Sequence, residues 1–326
     1  GVAMYAADVK LEGVLWAKTV RSPYPHARII TIDSVAAQAL PGVHAVITGD
    51  DLPPNSIWGR RIVDIPILAQ GLVRFAGEQV AAVVADDEET AARAVEMIEV
   101  EYEELEPVLD PEAAMEPSSQ LVHPNVKEIE GMFVEMEQPQ NAFVTWDWSN
   151  GDVAEGFKEA ELIIENSYTT PNVHQVYMEP HNQIVQITDD GVLHVWAPCK
   201  APYAARNQTA KALGISKDQI IFHPVPIGGD FGGKGSPMNV PLGYYLAKAV
   251  GRPVQMVFDY TEEFMAANPR HAGRLYVRTG VKHDGTIVAH DVRVIFDSGA
   301  YAGFKPAGHL MGVAGAAGPY RIANTR

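Results

Sequence analysis

The sequence predicts an α+β fold, because strand and helix patterns alternate early in the chain and strand hairpins follow later. Val80 to Ala85 is an apolar run typical of a buried strand, and an amphipathic helix pattern follows at residues 88–97. Further along, 183–187 and 193–197 predict two strands joined by a hairpin turn. The first half therefore predicts an α/β or α+β domain.

The chain has 326 residues, enough for two domains with a large buried core. We expect a first domain at 1–110, a linker at 111–145 and a second domain at 146–326. The linker is assigned from its polar composition and its prolines, which are Pro111, Pro117, Pro124 and Pro139. Residues 53–68 are expected to form a surface loop, and Thr261 is expected to cap a helix that begins at Glu262.

The composition excludes several classes of partner. The chain has 41 acidic and 25 basic residues, giving a net charge of −16, so we expect neither nucleic acid nor an anionic membrane as a partner. No apolar run approaches the length of a spanning helix, which is about 18 residues or more. The single cysteine, Cys199, rules out an internal disulfide and a cluster held by several cysteines of this chain. We expect a cytoplasmic protein.

The most informative stretch is a glycine-rich loop at 227–237, between a strand pattern at 219–226 and a helix pattern at 242–250. Glycine lets the backbone approach a ligand closely, and a row of N–H groups beside a helix N-terminus binds anions. The loop is a candidate site for a phosphate or an oxo-anion cofactor. A plain glycine turn between a strand and a helix remains the alternative.

A nucleotide-binding P-loop is a second interpretation of the same residues. Gly228, Gly233 and Lys234 match G-x-x-x-x-G-K-[ST], but Gly235 stands where the hydroxyl that binds Mg²⁺ is needed, and Ser236 comes one residue late. An NTPase is therefore the third of the functions we consider.

The run Gly228-Gly229-x-Phe231-Gly232-Gly233-Lys234 resembles the G-G-G-F-G-G-K loop of the molybdenum hydroxylases, the xanthine dehydrogenase and aldehyde oxidase family. In that family the loop lies against the molybdenum end of the molybdopterin cofactor. The resemblance implies that the backbone near Phe231 lies close to an oxo ligand of the metal. It also implies that no side chain of this protein binds the metal directly.

Other stretches resemble the same family in the same order. Tyr5-Ala6-Ala7-Asp8, Arg21-Ser22-Pro23 and Gly77-Glu78-Gln79 look like its α/β hammerhead domain. The resemblance implies this domain, followed by the first part of a molybdopterin-binding mixed α/β domain. The stretch from His174 to His181 contains two histidines and a glutamate that could bind a metal. Because it resembles a family segment, H-x-x-M-E-P, the resemblance favours a structural role there.

Two positions depart from the family pattern. Lys200 stands where the family has a glutamine that hydrogen-bonds a molybdenum oxo group, and a lysine can still donate there. Gly235 replaces a glutamate that orients purines in xanthine-type enzymes, which weakens the case for a purine substrate. The cofactor-binding residues implied by the resemblance are Gly228, Gly229, Phe231, Gly232, Gly233 and Lys200.

The resemblance implies the front part of a molybdenum hydroxylase large subunit, from a split gene or a truncated product. The expected reaction is oxidative hydroxylation of an aldehyde or N-heteroaromatic substrate, with water as the oxygen source. The family's catalytic base lies beyond Arg326, so we expect no catalytic residue in this chain and no activity from it alone.

The resemblance also implies a set of cofactors and partners. They are molybdopterin with molybdenum, in the cytosine dinucleotide form, a second molybdopterin-domain chain, and iron–sulfur (2Fe-2S) and FAD subunits. A non-catalytic scaffold or assembly module of the same fold, lacking cofactor, is the main alternative.

Overall fold

The computed structural model describes residues 1–132, 140–303, 315 and 317–326. The chain forms two compact units, one made of residues 1–107 and 174–269 and the other of residues 108–173 and 270–326. Part of the predicted linker, residues 133–139, lies outside the described residues.

The strands of the first unit are β1 (Leu15–Arg21), β2 (Ala27–Asp33), β3 (Val43–Thr48), β4 (Ile57–Trp58), β5 (Ile65–Pro66), β6 (Leu72–Val73), β7 (Gln79–Ala85), β8 (Glu99–Glu104), β10 (Asn182–Ile187), β11 (Leu193–Trp196), β12 (Ile220–His223) and β13 (Val254–Val257). Its helices are α1 (Val35–Gln38), α2 (Glu88–Glu96), α4 (Pro202–Leu213), α5 (Val240–Val250) and α6 (Tyr260–Ala266). The second unit contains α3 (Val153–Lys158), β9 (Leu162–Thr170), β14 (Gly273–Val281) and β15 (Ile287–Phe296).

The main sheet of the first unit has seven strands in the order β12-β11-β10-β13-β1-β7-β3. Its central junction is the parallel pair of β1 and β13, in which Leu15 lies opposite Val254. One sheet thus contains strands from both predicted domains, because residues 239 positions apart pair in it. The boundaries at 110 and 146 stay a prediction.

Strand β7 is buried as predicted, and Val80 to Ala85 have no exposed surface. The helix that follows, α2, begins after Asp87, whose side chain accepts a hydrogen bond from the Thr90 N–H. The hairpin prediction is also confirmed, since β10 and β11 pair antiparallel with Ile187 opposite Leu193.

The expected surface loop at 53–68 is wrong. Trp58, Ile67 and Leu68 belong to the main core cluster, and Ile67 and Leu68 are each 1% exposed. The short pair β4 and β5 turns this segment back on itself, which brings its apolar side chains onto the core. Alternation is too short here to predict a strand from the sequence.

The predicted cap at Thr261 is also wrong. Helix α6 begins at Tyr260, and the Asp259 side chain accepts a hydrogen bond from the Glu262 N–H while Glu262 reaches back to Asp259. This reciprocal pair is a capping box, and it places Glu263 on the buried side of the first turn.

The second unit is built on an antiparallel sheet in the order β15-β14-β9. Helix α3 begins after Asp152, whose side chain accepts from the N–H groups of Ala154 and Glu155, as the sequence predicts. Every residue of the edge strand β9 is exposed. Among the described residues, we find no helix with the length and apolar character that crossing a bilayer requires.

Candidate functional site: the glycine loop and the segment beneath it

The glycine loop lies in the connection between β12 and α5, and both elements form where the sequence predicts them. The helix begins at Val240, six residues after the last residue of the motif, Lys234. The expected row of N–H groups next to a helix N-terminus is therefore not formed. Any anion affinity of the loop must come from its own backbone and side chains.

The inner face of the loop packs on the segment 174–181. The Gly228 N–H donates to Oε2 of Glu179 at 2.7 Å, and the Glu179 N–H donates to the Gly228 carbonyl at 3.1 Å. A Cβ atom at Gly229 would lie 2.8 Å from Cβ of Tyr177, and one at Gly233 would lie 2.7 Å from its ring. These glycines are required because the two backbones approach so closely.

Lys234 points inward and is completely buried. Its Nζ donates to the carbonyl oxygen of Glu179 at 2.6 Å and to Oε2 at 2.8 Å, and lies 4.5 Å from the centre of the Tyr177 ring. Burial lowers the pKa of the ammonium below its ordinary value, and the Glu179 carboxylate opposes this shift. The P-loop interpretation is wrong, since this lysine is already bonded inside the protein.

Beneath Tyr177 lies Glu263, a carboxylate with no exposed surface. It accepts hydrogen bonds from the Tyr177 hydroxyl, from the His181 N–H at 2.7 Å and from Nδ1 of His181 at 2.9 Å. Nε2 of His174 lies 3.2 Å away on the other side. The two histidines of the segment thus share Glu263, while Glu179 bonds Lys234.

The pKa values of this buried network follow from its contacts. Burial acts to raise the pKa of Glu263, but the hydrogen bond and electrostatic attraction of His181, with the hydrogen bond of Tyr177, lower it to about 2. Burial and the hydrogen bond to Glu263 raise the pKa of Tyr177 far above its ordinary value. At neutral pH the network therefore contains a carboxylate and a protonated phenol.

Asp230, the variable residue of the motif, closes the loop on itself. Its carboxylate accepts from the N–H groups of Gly232 at 3.0 Å and Lys234 at 2.6 Å, and its carbonyl accepts from the Gly233 N–H at 2.7 Å. Burial acts to raise the pKa of the Asp230 carboxyl, but the N–H groups of Gly232 and Lys234 and the Lys200 ammonium lower it below its ordinary value. Three of the loop N–H groups are thus satisfied internally.

The outer face of the loop presents Phe231 and Lys200. Phe231 is 64% exposed and has a φ of 42°, a left-handed conformation that bulky residues rarely adopt. Lys200 Nζ bonds Oδ2 of Asp230 at 3.0 Å with 43% of its side chain exposed, and its N–H donates to the Lys234 carbonyl at 3.0 Å. The structure thus brings the sequence-predicted residue Lys200 to the glycine loop.

Two backbone donors of the loop remain. Within the described part of the chain, the N–H groups of Gly229 and Asp230 make no hydrogen bond. With the part-exposed Lys200 ammonium, they are the donors that this loop offers to an oxygen-rich group. The chemistry of these donors fits an oxo-anion or the oxo end of a metal cofactor, whereas Gly228, Gly232 and Gly233 donate to protein acceptors.

Left-handed backbone outside glycine is concentrated around this loop. Among the described residues it occurs at Asn55, Val176, Phe231 and Met238. Val176 precedes Tyr177 beneath the loop, and Met238 follows the loop. Such strain costs about 1–3 kcal/mol per residue and persists where surrounding contacts impose it, as at ligand sites.

Sequence reasoning missed three residues that hold the site, which are Tyr177, Asp230 and Glu263, whereas the resemblance favoured a structural role for the stretch that contains Glu179. Only Asp230 had a local signal, because an aspartate among glycines accepts hydrogen bonds from the N–H groups that follow it. Glu263 is 82 residues from His181, and no sequence pattern connects them. Cys199 lies near the site, and burial raises the pKa of its thiol, which favours the unreactive protonated form.

Two protein families match the chain. The molybdopterin cofactor-binding domain matches residues 134–326, and the α/β hammerhead domain of aldehyde oxidase and xanthine dehydrogenase matches residues 1–106. The second match confirms the hammerhead prediction. The first confirms that the glycine loop belongs to a molybdopterin-binding domain.

Two individual relatives point to the same family as these domain matches. The chain is 36% identical over its whole length to a probable xanthine dehydrogenase subunit from Bacillus subtilis (strain 168), of which it spans 42%. It is 30% identical over its whole length to the nicotinate dehydrogenase large molybdopterin subunit from Eubacterium barkeri, of which it spans 73%.

A solved structure has the same fold. It is the reconstituted CO dehydrogenase from Oligotropha carboxidovorans, with a TM-score of 0.84 and 27% identity over 99% of this chain and 41% of that one. With family matches at 1–106 and 134–326, and a relative of which it spans more than two thirds, the chain belongs to the molybdenum hydroxylases, the family of molybdenum-dependent oxidoreductases that includes aldehyde oxidase and xanthine dehydrogenase.

Proposed function

We propose that the chain is part of the molybdopterin-binding large subunit of a molybdenum hydroxylase that oxidises an aldehyde or an N-heteroaromatic compound. The observation that carries this proposal is the division of the glycine loop into two faces. On the inner face Gly228 and Lys234 are bonded to Glu179, while elsewhere the loop keeps two N–H groups without an acceptor among the described residues and carries the exposed Phe231 ring.

Each outer residue has a separate task in the proposal. Gly229 and Asp230 would donate their N–H groups to an oxygen of the cofactor, and Lys200 would add a side-chain donor. The Phe231 ring lies beside Gly229, where an added Cβ would be 3.2 Å from its Cε2 atom. When bound, the molybdenum cofactor would supply the two-electron oxidation, with water as the oxygen source.

The role of Lys200 follows from its pairing. Because Asp230 holds the ammonium at 3.0 Å, the charge is positioned without a ligand, and the pair as a whole is neutral. A neutral outer face suits an uncharged substrate such as an aldehyde. Gly235 is buried and has no side chain, so it supplies nothing that would orient a purine.

The partners and the form of the cofactor are proposed from the family. We propose the cytosine dinucleotide form of molybdopterin, 2Fe-2S and FAD subunits that remove the electrons, and a second molybdopterin-domain chain that supplies the base. A relative named a large molybdopterin subunit, of which this chain spans 73%, supports a molybdopterin site divided between polypeptides. We expect the assembly in the cytoplasm and no activity from this chain alone.

The test is the metal content of the native protein. The full chain is isolated under mild conditions with the polypeptides that accompany it, and molybdenum is measured by elemental mass spectrometry. We expect near-stoichiometric molybdenum together with iron. A folded protein that purifies by itself without molybdenum would overturn the proposal and leave the non-catalytic module, whose loop is held by the same internal bonds.

Two matched variants localise the cofactor to the loop. Lys200→Glu places a negative charge on the outer face, and we expect it to lose molybdenum. Lys217→Glu makes the same charge change at an exposed lysine in the turn Lys217–Gln219, away from the motif, and we expect it to retain molybdenum. Equal loss in both variants would mean that overall charge, and not the loop, is responsible.

A further inference from the structure

The antiparallel sheet of the second unit is covered at one edge and open at the other. On the outer side of β15, the His290 N–H donates to the Asn324 carbonyl at 2.9 Å, and the Arg326 N–H donates to the His290 carbonyl at 3.0 Å. On the other side the sheet ends at β9, and in the described part of the chain no segment pairs with its outer edge. An unpaired edge presents N–H and C=O groups that can bind a further strand.

Strand β9 is long and apolar for an edge strand. All nine of its residues are exposed, and at about 3.4 Å per residue they span about 30 Å. Leu162, Ile164 and Tyr168 are 54%, 46% and 54% exposed. Natural edge strands are commonly protected by lysine, proline or a bulge. Strand β9 contains none of these, and Glu165 is its single charged residue.

The apolar residues of β9 share one face of the sheet. Side chains alternate along a strand, so Leu162, Ile164 and Tyr168 lie on the same side. Tyr168 lies opposite Leu275 of β14, and Leu275 lies opposite Val294 of β15, so this apolar face continues across all three strands. A strand that adds to β9 must therefore place its own apolar residues on the same face.

The sequence of β9 complements itself when two copies run antiparallel. A two-fold axis perpendicular to the sheet keeps the apolar faces of both copies on one side, and full overlap of the nine residues places Asn166 opposite its own copy. Ile164 then lies opposite Tyr168 of the second copy, and this pair occurs twice. Glu165 lies opposite Ser167, so no like charges face each other directly.

The neighbouring registers are less favourable. A slip that centres the axis on Glu165 places two carboxylates opposite each other, which destabilises the pairing. A slip that centres it on Ser167 separates the Ile164–Tyr168 pairs. With full overlap, each Glu165 carboxylate instead keeps its own Arg278, whose Nε lies 3.7 Å away.

We propose that β9 binds β9 of a second copy of this chain and joins two three-stranded sheets into one of six strands. The main-chain groups of the two open edges provide the attraction, and the Ile164–Tyr168 pairs set the register. The net charge of −16 on each copy opposes association, but physiological salt screens exposed charges beyond about 8 Å. The inference does not depend on the proposed function, because it uses no residue of the glycine loop.

The expected dimer is weak. Stable interfaces bury about 1,200–2,000 Å² in total, and a single strand pair is a small interface, so we expect dissociation on dilution.

A cysteine at the two-fold axis tests the register. Asn166→Cys places two thiols on residues that face each other, with Cα atoms about 4.5–5.5 Å apart, a separation that a disulfide bridges. We expect mild oxidation of the full chain, with any polypeptides that accompany it, to give a covalent dimer of this chain on non-reducing electrophoresis. Thr169→Cys is the control, because residue 169 of the second copy lies about 20 Å away along the strand. Equal cross-linking in both variants, or none in Asn166→Cys, would overturn the proposal.

A charge on the apolar face tests the association without a cross-link. Ile164→Lys places opposite Tyr168 a residue that natural edge strands use to prevent pairing. We expect the dissociation constant of the dimer, measured by sedimentation velocity over a dilution series, to rise at least about tenfold. Ile221→Lys is the matched control, because Ile221 is 44% exposed on β12, an edge strand of the other unit, and we expect no change there. Circular dichroism verifies that both variants are folded.

Three results of the sedimentation experiment would contradict the proposal. A wild type with one copy of this chain per particle at every concentration has no such dimer, whether β9 is free or another polypeptide covers it. A dimer that is unchanged in Ile164→Lys is held by a different surface. An equal rise in the dissociation constant of Ile221→Lys would mean that added charge, and not β9, controls the association.

Discussion

Two lysine–carboxylate pairs lie on opposite faces of one loop and differ in their exposure to solvent. Lys234 and Glu179 join at 2.8 Å with side chains that are 0% and 12% exposed, whereas Lys200 and Asp230 join at 3.0 Å with 43% and 22% exposed. Their distances are nearly the same, so burial makes the difference. The inner pair holds the loop to the protein, and the outer pair remains accessible to a ligand.

The comparison also changes how the glycine motif is interpreted. The glycines beneath the loop are explained by close packing on Tyr177 and Glu179, which requires no ligand. Many glycines around an aromatic residue therefore do not by themselves argue for a cofactor. The exposed, left-handed Phe231 and the remaining N–H donors are the stronger evidence.

The largest expected effect comes from removing the carboxylate beneath the inner face. Glu263→Ala leaves His181, His174 and Tyr177 without their common partner, and we expect the free energy of unfolding to fall by about 3–5 kcal/mol. Urea unfolding of the wild type and the variant at neutral pH measures this fall in free energy. Glu165→Ala is the control, since its side chain is 76% exposed, and a change above about 1 kcal/mol there would be unexpected.

Acid should weaken the same network. The pKa of Glu263 is about 2 in the folded protein against an ordinary value of 4.5, so its ionised form stabilises the fold above pH 4.5. That contribution, about 3 kcal/mol, is lost as the pH falls from 4.5 towards 2.

The contribution of ionised Glu263 is measured by comparing the unfolding free energies of the wild type and Glu263→Ala from pH 4.5 to pH 2. The difference between the two proteins should shrink as the pH falls. A difference independent of pH would contradict the depressed pKa.

One substitution in each lysine–carboxylate pair tests whether burial distinguishes the two pairs. Lys234→Met leaves the Glu179 carboxylate without its buried cation, and we expect a loss of about 3 kcal/mol in unfolding free energy. Lys200→Met removes a pair that solvent screens, and we expect less than about 1 kcal/mol. Chemical denaturation of both variants measures the contrast, and equal losses would mean that burial does not distinguish the two faces.

The smallest expected effect is an increase in stability. Phe231→Gly removes the left-handed strain of a mostly exposed side chain, and we expect stability to rise by up to about 1 kcal/mol. Phe231→Ala is the control, because it removes the ring and keeps the strain, and it should give no gain. If both variants also lose molybdenum, the Phe231 ring, which both lack, is required for cofactor binding.

Local chemistry made much of the fold predictable. The buried strand β7, the helix after Asp87, the helix after Asp152 and the hairpin of β10 and β11 form where their patterns indicate. These features depend on neighbouring residues, such as an aspartate accepting from N–H groups two or three residues later. The buried segment at 53–68 is not predictable in this way, because its apolar residues lack a clear period and are buried by distant strands.

The sequence by itself determined the glycine loop, its flanking strand and helix, and the family to which these motifs point. Only the tertiary structure decided that Lys234 faces inward, that Lys200 meets Asp230, and that Glu263 underlies Tyr177. It also decided that β1 pairs with β13 within one sheet. The physical reason is that short-range hydrogen bonding and periodicity depend on residues adjacent in sequence, whereas burial and charge pairing depend on which distant segments the fold brings together.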